Sequence, residues 1–338
     1  MSARKKVLYV GNKLLKHGLS PTSADILPEL FRKEGYEVKA VSDKKNKIKR
    51  MADMLQTVVR NKNWADVVII DTYSTINFYY AVIVGFLCRK FNIPYIPILR
   101  GGNLPERLEK SKKQCEILFG NAYKNVAPSA YLFEAFKNKN IQNLIYIPNT
   151  IPLENYSFKK RERVTYRLLW VRSFASIYNP EMALQVVEKL QKEGKDVTLC
   201  MVGPDKGSME NCEKIAKDKG LPVTFTGLLD KKAWHKLSEE YDVFINTTNF
   251  DNTPISVIEA MALGLPVVST DVGGLPFLIE KNKTGILISP KDVQAMTDAI
   301  TDLVSNPEKS QQIANQARKQ VESYDWEVVK YKWNEVLK

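Results

Sequence analysis

Four cysteines and two histidines are all that this 338-residue chain offers to a soft metal, and none falls at a ligand-like spacing. Cys88, Cys115, Cys200 and Cys212 make no CxxC pair, and His17 and His235 have no finger-like spacing to them, so neither a structural zinc site nor a disulfide framework is indicated. Sparse, unpatterned cysteine suits a reducing compartment, and a cytoplasmic location is expected. Long apolar runs are also missing. The longest, INFYYAVIVGFLC from Ile76 to Cys88, is shorter than the roughly 18 to 20 residues a membrane span requires and ends at Arg89-Lys90, which predicts a buried core helix. The opening MSARKKVLYVGNKLL puts basic residues before an apolar run that Gly11, Asn12 and Lys13 interrupt, so a strand is expected there and not a secretory leader. Only 16 Gly and 16 Pro occur, which excludes a fibrous or disordered composition, while 44% hydrophobic residues can build proper cores. The length suggests about two domains.

Positive charge is abundant and unevenly spread. There are 50 Lys and Arg against 38 Asp and Glu, but residues 1–160 hold 27 basic and 13 acidic residues, while the remaining 178 hold 23 and 25. An excess confined to one half argues for a partner surface there. Its densest part is DKKNKIKRMADMLQTVVRNK, where Ile48, Met51, Leu55 and Val58 recur at helical spacing beneath Lys44, Lys45, Lys47, Lys49 and Arg50. This basic amphipathic helix reads either as the solvated face of an ordinary crossover helix or as a contact with anionic headgroups over residues 44–60. No helix-turn-helix pattern, aromatic-rich ribbon or RNP-like string accompanies the charge, so no nucleic acid partner is expected.

Short continuous apolar runs alternate with helical stretches, twice over. The first series is 6–11, 36–42, 66–71, 94–100, 125–129 and 144–149; the second is 167–172, 196–203, 223–227, 242–248, 265–271 and 284–289. Such runs imply parallel sheets covered on both faces, hence an α/β chain of two Rossmann-like, doubly wound domains. The polar stretch PLENYSFKKRERVTYR (152–167) lacks a clear period and marks the boundary, giving expected domains of 1–155 and 156–322. Ligands of such sheets sit beyond the carboxyl ends of the strands.

One segment carries the chemistry. After the strand DVFINTT comes NFDNTPISVIEAMALGLPVVSTDVGGLP, in which Asn252 or Thr253 is placed to cap a helix with Pro254 in its first turn and Gly264 at its end. Free amides at a helix start make a seat for phosphate or for sugar hydroxyls. Asp251 precedes that start and Glu259 lies one to two turns inside it. Carboxylates accept hydroxyl protons, so their clients are a ribose diol and a hexose; as residues alone they read equally as a helix-cap carboxylate and a surface glutamate.

This stretch resembles the signature of retaining nucleotide-sugar glycosyltransferases of family 4, in which an acid, seven residues and a Glu lead into an EAMA-x-G-x-PVV string; here Asp251, Glu259 and EAMALGLPVVST fill it. VGNKLLKHG, GYEV (35–38), VAPSAYLFEAF (126–136), IPNTIPLENY (147–156), MVGPD (201–205), VTFTGLL (223–229) and YDWEVV (324–329) extend the likeness along nearly the whole chain. The resemblance implies the GT-B fold, two Rossmann-like domains facing across a cleft, with the acceptor on the first, the nucleotide sugar on the second, and a C-terminal helix (323–338) packing back on the first. It implies that Asp251 meets donor-sugar hydroxyls, that Glu259 binds the ribose, and that Arg172 at the end of LLWVR clamps the diphosphate. Asn252, Thr253, Pro254 and Ile255 would hold the phosphate or sugar, Gly203 of the MVGPD turn would line the donor site, Gly227 and Leu228 would lie against the base, and Gly11 would approach the phosphate from the facing domain.

The chain departs from the family pattern at several positions. The first acid is Asp where Glu is commoner. The usual Lys beyond the Arg is replaced by Ile177 or Tyr178, with Lys206 as the candidate substitute. Arg100-Gly101-Gly102 stands where a His is frequent, and Arg100 is placed either to read an anionic acceptor or to add positive charge to the donor. Phe277 replaces the Glu of the GG-x-P-E string. The reading is therefore a retaining transferase moving a sugar from a UDP- or GDP-linked donor to a glycan or lipid-linked acceptor, with no metal and no other cofactor, on the cytoplasmic side and peripheral to the membrane. A GT-B epimerase or phosphorylase, or a non-enzymatic basic scaffold for membrane or nucleic acid, are the alternatives.

Overall fold

Each of the twelve apolar runs becomes a strand. The computed structural model describes residues 5–13, 15 and 22–338, in two units: Met1–Pro148 with Lys330–Lys338, and Asn149–Val329. The first contains β1 (Lys6–Val10), β2 (Glu37–Val41), β3 (Val67–Thr72), β4 (Tyr95–Leu99), β5 (Asn125–Ala127) and β6 (Leu144–Tyr146), all parallel, in the order β2-β1-β3-β4-β5-β6. The second contains β7 (Arg167–Val171), β8 (Thr198–Val202), β9 (Val223–Gly227), β10 (Val243–Asn246), β11 (Val267–Thr270) and β12 (Ile286–Ile288), in the order β12-β11-β10-β7-β8-β9. Central strands such as β3 and β10 are buried at every position, because crossover helices cover both faces.

Strand order fixes where a crevice opens. In each sheet the chain winds first to one side and then returns to the other, and the two directions part between β1 and β3 in the first unit and between β7 and β10 in the second. Loops leaving the carboxyl ends of such a pair diverge and leave a gap for a ligand. Gly11 follows β1, whereas Arg172 follows β7 and Asp251 lies five residues beyond β10.

Three expectations change. The 152–167 stretch, expected at the boundary, belongs to the second unit, Tyr156 and Arg161 are buried, and the Arg161 guanidinium donates to the carbonyls of Tyr241 (2.9 Å), Ser238 (2.9 Å) and Gly264 (3.0 Å). Its polar sequence hides this because a buried arginine satisfied by carbonyls looks like any charged loop residue. The apolar run after Ile76 does form a helix, Phe78–Lys90, but Ile76, Tyr79 and Phe86 are exposed and only the opposite side is core. In the basic helix, Lys47–Arg60, Arg50, Met54 and Val58 are buried and Met51 and Leu55 pack half-buried against the same core, so of the expected apolar face only Ile48 stands out in solvent.

Residues 330–338 end the helix Trp326–Leu337 within the first unit, where Trp333 packs edge-on to Phe31 at 5.2 Å and Tyr36 donates to Asn334 Oδ1 at 2.8 Å. The expected Gly-rich loop VGNKLLKHG lies partly outside the described residues, His17 included. Among the described residues no helix is long and apolar enough to cross a membrane, and no cluster of His, Cys, Asp or Glu could hold a metal ion.

Candidate active site

The site of the second unit is built on its diverging strands. The Arg172 N–H continues the β7–β8 ladder by donating to the Val202 carbonyl at 3.0 Å, and its guanidinium leaves the sheet beyond the end of β7. This geometry requires Gly203, whose φ is +152° and where a Cβ would stand 1.7 Å from the Arg172 carbonyl oxygen. Gly203 therefore shapes the Arg172 backbone. Its N–H in turn donates to the Gly227 carbonyl at 2.9 Å, tying the ends of β8 and β9, beyond which Leu228 is exposed.

Asp251 reaches Arg172 from the loop after β10. The Arg172 guanidinium (Nη2) and the Asp251 carboxylate (Oδ2) form an ion pair in which both side chains are mostly buried. Arg172 also lies over the ring of Tyr178 at 4.4 Å, so the aromatic occupying the usual lysine position is a platform under the arginine. Burial lowers the arginine pKa below its ordinary range, and Tyr178 acts against that shift. The 176–179 turn is fixed from below: Thr247 Oγ1 donates to the Tyr178 or Asn179 carbonyl and accepts from Trp170 Nε1 at 3.0 Å. Lys206, the candidate substitute cation, is exposed on its own turn.

The loop between Asp251 and the helix is held by a pair of glycines. Gly274 N–H donates to the Asp251 carbonyl at 2.8 Å, and a Cβ on Gly274 would lie 1.6 Å from the Asn252 carbonyl oxygen, one on Gly273 2.2 Å from that of Asp251. Asn252 N–H donates to the Asp251 carboxylate at 2.8 Å. The helix itself runs Ile255–Ala262, with Pro254 in the capping position and no side-chain cap. Asn252 and Thr253 thus do not cap it, since the loop docked on Gly273 and Gly274 carries both residues ahead of the helix start.

Glu259 is 4% exposed, which removes the surface-residue reading. Its Oε1 accepts from the Tyr156 hydroxyl and from Lys231 Nζ, each at 2.6 Å. His235 packs against the Tyr156 ring at 4.5 Å, and burial lowers its pKa from 6.5, with Glu259 opposing the shift. Tyr156 and Lys231 were not picked out from the sequence. The nearest signal was IPNTIPLENY, whose last residue is Tyr156.

Gly11 and Arg100 belong to the first unit. A Cβ on Gly11 would stand 2.4 Å from Asp71 Oδ2, so this position leaves room for a buried carboxylate. That carboxylate accepts from Arg100 Nε at 3.1 Å and from the Tyr9 hydroxyl at 2.8 Å. Arg100 is thereby engaged inside its own sheet end, and a buried ion pair anchors it.

Residues 154–320 match the family profile described as glycosyl transferases group 1. Sulfoquinovosyl transferase SQD2 of Arabidopsis thaliana is 30% identical over 149 residues, 43% of this chain and 29% of that protein. Alpha-D-kanosaminyltransferase of Streptomyces kanamyceticus is 26% identical over 152 residues, 44% of this chain and 39% of that protein. The chain thus spans less than half the length of these two curated relatives. Among solved structures, Anabaena Alr3699/HepE in complex with UDP-glucose matches with a TM-score of 0.77 at 16% identity, over 98% of this chain and 99% of that one. A sucrose-phosphate synthase from Thermosynechococcus elongatus matches with a TM-score of 0.78 at 16% identity, over 98% of each chain. The second unit thus resembles the glycosyl transferases group 1 family over residues 154–320, and the chain has the GT-B fold.

Proposed function

We propose that this protein is a retaining glycosyltransferase that moves a sugar from a nucleotide sugar, UDP- or GDP-linked, to a hydroxyl of a glycan or lipid-linked acceptor, with no metal in the reaction. The observation that carries the reading is the Arg172–Asp251 pair between the diverging strands β7 and β10, with Glu259 buried in the helix that follows. Alr3699/HepE, whose structures hold UDP and UDP-glucose, supports a uridine donor.

In this proposal the donor opens the ion pair. The diphosphate takes the Arg172 fork, and the donor sugar's hydroxyls take Asp251. Amides of Thr253 and Ile255 serve the diphosphate at the start of the helix, where Pro254 has no N–H to offer, and the Asn252 N–H, which donates to Asp251 in the ion-paired state, joins them once the sugar takes that carboxylate. As the glycosidic bond breaks, negative charge builds on the leaving diphosphate, and a fixed guanidinium with oriented amides lowers the barrier because no solvent must reorganise. With Glu259 Oε1 held by Tyr156 and Lys231, Oε2 accepts the ribose hydroxyl. Gly227 and Leu228 lie against the base, and Gly203 shapes the Arg172 backbone. The acceptor oxygen bonds to the anomeric carbon on the face the diphosphate leaves, and a diphosphate oxygen takes the acceptor proton, so neither Asp251 nor Glu259 acts as base.

Incubation with UDP-glucose, UDP-N-acetylglucosamine and GDP-mannose, followed by NMR of the product's anomeric configuration, tests the reading. A new glycoside with the donor's configuration, formed equally in EDTA, is expected. An inverted product, or an isomerised sugar nucleotide without transfer, would overturn it. Glu259→Ala should weaken donor binding by roughly tenfold to a hundredfold, as for loss of a charged hydrogen-bond partner, with the circular dichroism spectrum unchanged.

A further inference from the structure

The helices Lys47–Arg60 and Phe78–Lys90 pack side by side against the first sheet. They are successive crossovers running in the same direction, β2 to β3 and β3 to β4, so right-handedness puts both on one side of it. Their outward surface is unusually apolar: Ile48 is 80% exposed, Ile76 61% and Phe86 54%, with Val59 and Tyr79 also exposed. Ile76, Tyr79, Ile83 and Phe86 follow one another at intervals of three or four residues and so form one stripe, with Ile83 half-buried. Scattered exposed apolar residues need no account, but a stripe along one helix beside exposed isoleucine and valine on its neighbour does.

The charges around the stripe are mostly positive. Lys45, Lys47 and Lys49 surround Ile48, Arg60 follows Val59, and Lys90 closes the second helix, while Asp53 is the one acid in the two helices. Arg107 lies over the rings of Phe78 and Tyr79 at 5.2 and 5.8 Å. We propose that this two-helix face docks on an anionic bilayer, the apolar stripe entering the headgroup boundary and the cations meeting lipid phosphates. The face extends the 44–60 segment read from the sequence by a second, more apolar helix, and it stands independently of the glycosyltransferase reading. A second copy of the chain is disfavoured because the apposed faces would bring like charges together. Nucleic acid is disfavoured because Ile48, Val59 and Ile76 offer nothing to phosphates or base edges.

The test is flotation of the full chain with phosphatidylcholine vesicles containing none or about a quarter phosphatidylglycerol, at low and high salt. Binding to the anionic vesicles only, weakened by salt, is expected. The double variant Ile76→Asp/Phe86→Asp and the variant Lys47→Glu/Lys49→Glu should each bind at least about tenfold more weakly. Because all four side chains are exposed, melting temperatures should match the parent. Equal binding to both vesicle types, variants that float like the parent, or no vesicle binding alongside either retention on a single-stranded oligonucleotide or a dimer abolished by Ile76→Asp/Phe86→Asp would each overturn the proposal.

Discussion

Arg172 and Asp251 neutralise one another at the ends of two strands, and the consequence of removing either is asymmetric. Arg172→Ala leaves a mostly buried carboxylate without its cation, so a stability loss of about 1 to 3 kcal/mol is expected together with at least ~100-fold lower turnover. Asp251→Asn keeps the shape and leaves the arginine on Tyr178, so turnover should fall with a smaller change in melting temperature. Parallel melts and initial rates separate the two. Tyr156→Phe deletes a hydroxyl donor to Glu259 while keeping the ring against His235; a loss of about 1.5 to 3 kcal/mol is expected for a hydrogen bond to a charged group, read from urea unfolding. His235 adds a pH dependence. Burial depresses its pKa below 6.5, so the unfolded chain takes up the proton first as pH falls. Its contribution is therefore complete above pH 6.5 and is lost as the pH drops towards the folded-state pKa. The melting temperature should decline on the acid side, and His235→Phe, which keeps the stacking, should flatten that decline.

At the scale of elements, the Ile255–Ala262 helix is positioned by a neighbour that the chemistry does not touch. Gly273 and Gly274 give the Asp251–Asn252 carbonyls a surface to lie on, and Gly274→Ala puts a methyl 1.6 Å from one of them. The loop must shift, so activity should be lost for a cost of about 1 to 3 kcal/mol in stability, the usual range for overpacking. A variant with full activity would show that the loop's placement is not what orients Asp251. The DVGGLP string was visible in the sequence, but its role was not, because a glycine's purpose lies in which backbone approaches it. The same holds for Pro254: its aptness for a helix start was legible, yet the cap fell on the proline itself once the preceding loop docked elsewhere.

For the molecule as a whole, ligand linkage is the cleanest readout. A nucleoside diphosphate at 100 times its dissociation constant adds about 2.7 kcal/mol to the unit that binds it, which for a unit of this size raises the melting temperature by roughly 5 to 10 °C. UDP is expected to do so, and Glu259→Ala to cut the stabilisation at the same UDP concentration to about 0.4 to 1.4 kcal/mol; no shift with UDP, GDP or ADP would leave the donor site without support. The sequence by itself determined the twelve strands, the two doubly wound units and the Asp251 to Glu259 signature, because strand-length apolar runs and helix-start chemistry are local patterns. Tertiary structure alone decided that Tyr156 and Lys231 close on Glu259 and that Tyr178 lies under Arg172. It also decided that Phe86 faces outward and Arg50 inward. Those facts depend on which segments meet in space, and a contact between residues about 100 positions apart, as between Tyr156 and Glu259, leaves no period or spacing in the chain to be read.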